Sequence, residues 1–414
     1  MIGNRVVVTG VAAITPIGND AATSWNNLVA GVSGIGPITR FDTSEHATKI
    51  AGQVNDFKAK NFLPAKAIKR MELFAQYAVA CGHMLLADAD YHITPEAAPY
   101  TGCILGCGLG GLECICRTHA KLVDVGPQRV SPFFIPVVIA NMAPGQISIA
   151  TGAMGPNLAT ASACASGLHG IGYAYSEIKL GRANIMLTGG VESVIEPLAV
   201  AGFNALKALS IRNDAPTRAS RPFDRDRDGF VMGEGCGMLL LEKLEHARIR
   251  GAKIYAEIVG FGASGDAYHM TAPPEDGRGM ALAMQAALRE AEIIPEAVEH
   301  INAHGTSTEL NDVCETRAIK TVFGNHAKNL AITGNKSMIG HLLGGSGGVE
   351  SVFAVLTLHH GILPGTINLE NPDKNCDLDY LADGSRIRQV EYVLNNSFGF
   401  GGTNACLLFK RWDG

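Results

Sequence analysis

The chain has 414 residues, 47% hydrophobic and 18% charged, which excludes intrinsic disorder and supplies material for a large buried core. Lys and Arg total 34 against 39 acidic residues, a formal net charge of −5, so there is no global basic field for non-specific nucleic-acid binding. Forty-nine glycines without collagen periodicity, beside 6% aromatics, point to tight turns and sites built from backbone.

The opening MIGNRVVVTGVAAITPIG sets Arg5 before an apolar run, as a signal peptide would. Gly10 and Pro16 interrupt that run and its residues are β-branched, so it reads as a buried first strand and a loop, and the protein as cytoplasmic. No charge-free apolar stretch reaches the roughly 18 residues of a membrane span. KAIKRMELFAQYAVACGHMLLADA (66–89) reads as one helix whose start carries Lys66, Lys69 and Arg70. The strand TGCILGCG follows. Gly106, Gly108 and Gly111 then make a GxGxxG, but HAKLVDVGPQR is not the acidic strand end that a dinucleotide site needs. Leu109 at that turn suits an apolar pocket wall. Cys103, Cys107, Cys114 and Cys116 contain no CxxC pair, so neither zinc nor a disulfide framework is expected among the ten cysteines.

ATASACASGLHGIGYAYSEIKLGRA (159–183) places Cys164 at a polar-to-helical transition, ahead of a helix of very small residues. Such a helix needs burial to be stable. A cysteine at its N-terminus is expected to have its thiolate favoured by the helix dipole, with backbone N–H groups free for an oxyanion. Strands NIMLTGGVES and GCGMLLLEKL follow, separated by DRDRDG (224–229). That run imitates a calcium loop, but position 235 is Gly rather than Glu, and Arg225 and Arg227 neutralise the acids. It reads as a salt-bridged turn.

IYAEIVGFGAS, VEHINAHGT, LAITGNKS, YVLNNSFGF and NACLLFKR are the later strands, and GRGMALAMQAALREAEI is a helix. Strand–helix alternation argues for α/β with mainly parallel sheets. The order strand, glycine turn, helix, strand ending in a polar loop, small-residue helix occurs twice, starting near residues 5 and 254. This implies two related α/β units, 1–252 and 253–414, with a site where they meet. His304 and His341 sit at strand ends or in loops of the second unit. With Cys164 they make a nucleophile and two imidazoles, suited to acyl transfer through a thioester. NNSFGFGGTNA, carrying Phe398 and Phe400, reads as a hairpin or as a mobile flap over the site.

SACASGLHGIG, RPFDRDRDGFVMGEG, NAHGTST, NKSMIGHLLG and NSFGFGGTN, with the opening VVVTGVAAITPIG, resemble the β-ketoacyl-acyl carrier protein synthases of the elongating, synthase II type. The resemblance runs from residue 5 to 410. It implies an α/β, thiolase-like fold, two related halves in a five-layered α-β-α-β-α arrangement, forming a homodimer. It implies a condensation in which Cys164 carries the acyl group, His304 and His341 stabilise the enolate of decarboxylated malonyl, and the N–H groups of Cys164 and Phe400 hold the oxyanion. Lys336 matches the family lysine and Glu350 its structural acid. Thr306 and Thr308 match the threonines on the phosphopantetheine arm. Leu109, Phe203, Phe398 and His269 are implied at the substrate, and Phe400 as the gate. Lys66, Lys69, Arg70, Arg129 and Lys207 are implied to dock the acidic acyl carrier protein in its acyl and malonyl forms. No cofactor is implied. A monovalent cation near Asn302, Glu350, Asn395 and Asn396 occurs in some relatives. Leu168 departs from the small or β-branched residues common there, which leaves chain-length preference open. The alternatives are a ketosynthase of a polyketide or specialised-lipid pathway, and a non-catalytic partner subunit, against which Cys164 argues. Thiolases use a second catalytic cysteine, and initiating synthases pair one His with Asn.

Overall fold

The computed structural model describes residues 3–414. Ten strands form one mixed sheet: β1 (Val6–Ile14), β2 (Thr101–Gly106), β3 (Asn157–Thr160), β4 (Ile185–Glu192), β5 (Gly235–Lys243), β6 (Ala256–Gly265), β7 (His300–Asn302), β8 (Ala331–Thr333), β9 (Tyr392–Gly399) and β10 (Thr403–Arg411). Their spatial order is β8-β7-β9-β10-β6-β1-β5-β4-β2-β3. Reading outward from the centre, each half repeats one pattern. The two inner pairings are antiparallel and the two outer ones parallel. The halves meet where β1 and β6 pair antiparallel, Val6 opposite Ile258 and Val8 opposite Ala256. All nine residues of β1 are buried, which is why its sequence is a continuous apolar run rather than an alternating one.

Helices complete five layers. The ones that matter below are α1 (Leu73–Asp88), α2 (Leu112–Val125), α3 (Met142–Thr151), α4 (Ser166–Lys179), α5 (Arg278–Ala291), α6 (Glu309–Phe323) and α7 (Ser346–His360). On one outer face, α1 and α3 bury Phe74, Tyr77 and Ile147 against Leu105, Leu187 and Met238. On the other, α5 and α6 bury Met284 and Ile319 against Ile301, Leu394 and Leu408. Between them α4 and α7 share a core that contains Ile171, Val352, Leu239 and Leu407. The fold is the thiolase-like α/β arrangement that the resemblance implies, but the sheet is not mainly parallel as the strand–helix alternation suggested. Five of its nine pairings are antiparallel. Antiparallel pairs need no helical crossover, and these lie at the central strands of each half, at the seam between the halves and in the tight β9–β10 hairpin.

Two elements differ from the sequence reading. The helix expected over 66–89 is broken into Ala65–Ile68 and α1, because α1 is buried along most of its length while Lys66, Lys69 and Arg70 remain in solvent. The edge strand β3 has only four residues and a half-polar sequence, so it carries no strand signal of its own.

The central layer depends on backbone contact. A Cβ on Gly167 would lie 2.7 Å from the backbone N of Gly348, and one on Gly348 would lie 2.2 Å from Gly190 N and 2.4 Å from Gly237 O. Both are closer than side-chain atoms approach backbone, so α4, α7 and the sheet are in direct main-chain contact. Gly348→Ala is therefore expected to lower stability by about 2 kcal/mol or more through overpacking. Gly202→Ala, in the exposed helix Pro197–Ala205 with open space at its Cβ, is expected to raise it by about 0.5–1 kcal/mol. Chemical-denaturation midpoints of the two variants check this; a neutral Gly348→Ala would contradict the close approach.

Candidate active site

Cys164 sits in a tight turn between β3 and α4. The preceding Ala163 has φ +51°, held there because Ser166 Oγ donates to Ala163 O at 2.6 Å and accepts the Ser162 N–H at 2.9 Å. The turn is tied to the second half by Ser397 Oγ, which donates to Cys164 O at 3.1 Å, and by Thr403 Oγ1, which donates to Ser162 O at 2.8 Å. His304 follows β7. Its N–H and that of Gly305 donate to the two oxygens of Glu315, each at 2.9 Å. His341 follows the short helix Lys336–Ile339, and its Nε2 lies 3.0 Å from Cys164 Sγ. The two imidazole rings meet edge to face, centroids 5.3 Å apart. Cys164 and two histidines 140 and 177 positions after it are thus gathered by loops at the ends of strands and helices of both halves.

The His341 tautomer follows from its neighbours. Nδ1 accepts the Leu343 N–H at 3.2 Å and faces Ser346 Oγ at 2.9 Å, so the ring proton is on Nε2 and points at the sulfur. His341 is therefore a donor at the nucleophile and not a base. Burial holds both imidazoles well below their ordinary value; the Lys336 ammonium adds to this for both, and His341 adds to it for His304. Lys336 is itself buried, donating to His304 O and to Glu350 Oε1, both at 2.6 Å. Burial pushes the Glu350 carboxyl up to about 7, against the pull of Lys336.

The thiol corrects one expectation. The helix N-terminus does not make Cys164 a resting thiolate. Burial pushes it up to about 11, outweighing Lys336 and the Phe400 and Cys164 N–H groups that face the sulfur.

Cys164, His304 and His341 open onto a cavity of about 780 Å³ whose lining includes Leu109, Phe203, Lys207, Thr306, Thr308, Phe398 and Phe400. Phe398 is buried against the His304 ring at 5.8 Å, while Phe400, 37% exposed, sits at the tip of the β9–β10 hairpin. The hairpin reading of NNSFGFGGTNA is correct, and the tip is pinned from outside: Gly401 N–H donates to Met270 O at 2.7 Å, and Asp266 N–H to Gly402 O at 2.9 Å. His269 is a second correction. Its side chain is exposed and absent from the lining; Nδ1 instead accepts the Thr271 and Ala272 N–H groups, both at 3.2 Å, and it is Thr271 and Ala272 that reach the cavity. Lys66, Lys69, Arg70, Arg129 and Lys207 are all exposed, and Arg70 lies over the Phe133 ring at 4.4 Å.

The four residues of the expected cation cluster divide. Asn302 Nδ2 donates to Asn395 Oδ1 at 2.8 Å, whereas Asn396 Nδ2 turns to Glu315 Oε1 at 3.2 Å. Glu350 Oε2 and Asn335 Oδ1 are buried without partners, and Asn335 also bonds Asn302. Sequence reasoning passed over Glu315, Asn335 and Glu192. Glu192 ends β4 fully buried and takes the Gly108 N–H at 2.8 Å and the Leu109, Gly110 and Gly344 N–H groups at 3.2 Å. The only sequence signal for it was an acid closing an apolar strand beside two glycines.

Residues 3–247 match the beta-ketoacyl synthase N-terminal domain, and residues 255–370 the C-terminal domain. The chain is 53% identical to 3-oxoacyl-[acyl-carrier-protein] synthase 2 of Synechocystis sp., over 99% of this chain and 98% of that one. It is 49% identical to the protein of the same name in Vibrio cholerae, over 99% and 100%. A beta-ketoacyl synthase structure from Burkholderia phymatum superposes with TM-score 0.93 at 36% identity, covering 99% and 100%. A ketosynthase solved with its type II polyketide-synthase acyl-carrier protein and a hexaketide superposes with TM-score 0.92 at 33% identity, covering 99% and 100%.

The charge states predict opposite pH responses. The imidazoles have folded values below the ordinary 6.5, so the unfolded chain binds more protons there; their contribution to stability is full above pH 6.5 and is lost as pH falls below it. The thiol is raised from 9.0, so iodoacetamide alkylation of Cys164 is expected to keep accelerating past pH 9 toward about 11. A rate plateau by pH 8 would overturn the assignment of a protonated resting thiol.

Proposed function

The chain belongs to the beta-ketoacyl synthase family, and on that premise we propose how its residues carry the reaction. It is an acyl-transferring, condensing enzyme of fatty acid synthesis. It joins an acyl thioester to malonyl-acyl carrier protein with loss of carbon dioxide and gives the 3-oxoacyl-acyl carrier protein. The observation that carries this reading is the Cys164–His341–His304 cluster on the wall of an apolar cavity.

In the first half-reaction, Cys164 Sγ attacks the acyl thioester carbonyl. The S–C bond forms, the carrier's pantetheine sulfur leaves, and it takes the proton that Cys164 loses. Because the thiol is protonated at rest, it gives up its proton as it attacks, relayed through solvent to the departing pantetheine sulfur. The His341 Nε2–H stabilises the transient thiolate, and the negative charge then passes to the carbonyl oxygen. The Cys164 and Phe400 N–H groups, already facing the sulfur, are placed to donate to that oxyanion. In the second half-reaction, the malonyl C–C bond breaks, carbon dioxide leaves, and charge gathers on the thioester oxygen. Neutral imidazoles donate to it without being consumed as acids, which suits His304 and His341. The new carbanion attacks the acyl-Cys164 carbonyl, and the released thiolate regains a proton.

Lys336 and Glu350 orient His304 through its carbonyl. Thr306 and Thr308 hold the phosphopantetheine arm. Leu109, Phe203 and Phe398 bound the acyl chain and Phe400 gates it. Lys66, Lys69, Arg70, Arg129 and Lys207 dock the carrier protein, whose acidic surface an exposed basic cluster attracts. A monovalent cation fits the unpartnered oxygens of Glu350 and Asn335, beside Asn302 and Asn395, while Asn396 is committed to Glu315; it would supply a fixed positive charge there. The nucleophile comes from residues 1–252 and both histidines from 253–414. A homodimer forms along the outer edge of β3, where Leu158, Met154 and Ile149 are exposed and, among the described residues, no strand pairs.

Intact-mass measurement with acyl-carrier protein, followed by malonyl-carrier protein, tests the assignment. Wild type is expected to gain an acyl mass and then release 3-oxoacyl product; Cys164→Ala gains none. His304→Ala is expected to acylate but to lose malonyl decarboxylation by about 10²–10³-fold. Acylation that survives in Cys164→Ala would overturn the scheme.

A further inference from the structure

The DRDRDG turn is not a calcium loop, yet it is more elaborate than a surface turn needs to be. Arg227 is buried, and three of its four guanidinium bonds go to the second half of the chain. Nε donates to Thr308 O at 2.9 Å and Nη2 to Glu309 O at 2.8 Å. Nη1 donates to Asp224 O at 2.7 Å and to Asp373 Oδ2 at 2.9 Å. Asp312 lies 3.5 Å from Nε, so the charge is paired where it is buried. Neighbouring residues grip the same loop. Arg221 N–H donates to Ser307 Oγ at 2.9 Å, and Gly229 N–H to Ser307 O at 3.2 Å. Ser307 is held at φ +67° and separates Thr306 from Thr308, whose hydroxyls lie 2.9 Å apart on the cavity wall.

We propose that Arg227 is a positioning residue for the phosphopantetheine arm: its fork fixes the backbone of Thr308 and Glu309, and so presents the Thr306 and Thr308 hydroxyls to the arm as one rigid pair. The inference rests on the reading that those threonines bind the arm. Arg227 touches neither substrate nor Cys164. A lysine keeps the charge but cannot reproduce four bonds to four separate acceptors from a planar fork. The loop is then free to relax from its left-handed residue, and the arm loses its preset partners.

Two probes separate this role from a structural one. Acyl-carrier protein reaches Cys164 through the arm; iodoacetamide reaches it without one. Arg227→Lys is expected to raise KM for acyl-carrier protein about tenfold or more with kcat little changed, and to leave the iodoacetamide alkylation rate within about twofold of wild type. Asp373→Asn, which removes the negative charge from one of the fork's acceptors, is expected to move KM the same way by less, and it decides the question if Arg227→Lys does not fold. The double variant Thr306→Val, Thr308→Val is the control. If it leaves KM unchanged, the arm reading fails and the clamp with it. If it raises KM while Arg227→Lys and Asp373→Asn do not, the clamp alone fails. Alkylation and acylation falling together in Arg227→Lys would also overturn the proposal.

Discussion

The contact on which the site depends is the main-chain approach of α4 to α7. Cys164 leads into one of these helices and His341 precedes the other, and the two come from opposite halves of the chain. Their 3.0 Å separation exists because Gly167 lies against Gly348, and Gly348 against β4 and β5, with no side chain between. Each glycine costs a helix about 1 kcal/mol relative to alanine, so α4 is a poor helix by propensity. It is helical because it is buried on nearly every side. The poor propensity and the short catalytic distance have one cause, the removal of side chains from the place where the two halves touch.

Burial that follows from this packing also sets the charges. A thiol and two imidazoles enclosed together are each driven toward neutrality, and Lys336 pushes the imidazoles the same way. The site at rest therefore holds neutral donors aimed at positions where negative charge develops only during reaction. In a low-dielectric cavity such donors act more strongly than in water and need no reorganisation. Lys336 is kept charged-partnered by Glu350 rather than by the reacting groups, and its remaining contact is to the His304 carbonyl, so it steadies the backbone of one imidazole without offering it a proton.

Much of this was legible in sequence because the signals were local. Short apolar runs, most of them bounded by glycine, gave nine of the ten strands, and the small residues after Cys164 and His341 marked α4 and α7. The repeat in element order suggested two related units, but it did not show the antiparallel pairings at the centre of the sheet, which join strands far apart in the chain. What was not legible depends on distant partners. The thiol's ionisation is set by enclosure, which the helix N-terminus alone does not report. His269 looked like a site residue from its neighbours, yet its ring turns back to cap its own loop. β3 is held in the sheet by β2 and not by any propensity of Asn157–Thr160. Glu192 acts through backbone N–H groups 82 or more positions away and Glu315 through a turn 10 and 11 positions before it, and no spacing rule connects an acid to such partners.

Glu192 shows why a motif needs its surroundings to be read. The turn from Gly106 to Gly111 has the glycines of a phosphate-binding loop, and its N–H groups do converge. They converge on a carboxylate of the same chain: Gly108, Leu109 and Gly110 all donate to Glu192, so the anion that the turn is built to hold is internal. The fourth donor, Gly344, belongs to the turn that follows His341. A single buried carboxylate thus fixes the loop that carries Leu109 on the cavity wall and the loop that carries the second imidazole. Its burial alone disfavours the ionised form, and four backbone N–H groups oppose that penalty. The wall of the acyl cavity and the seat of His341 are therefore held by the same carboxylate, each through backbone N–H groups of its own loop.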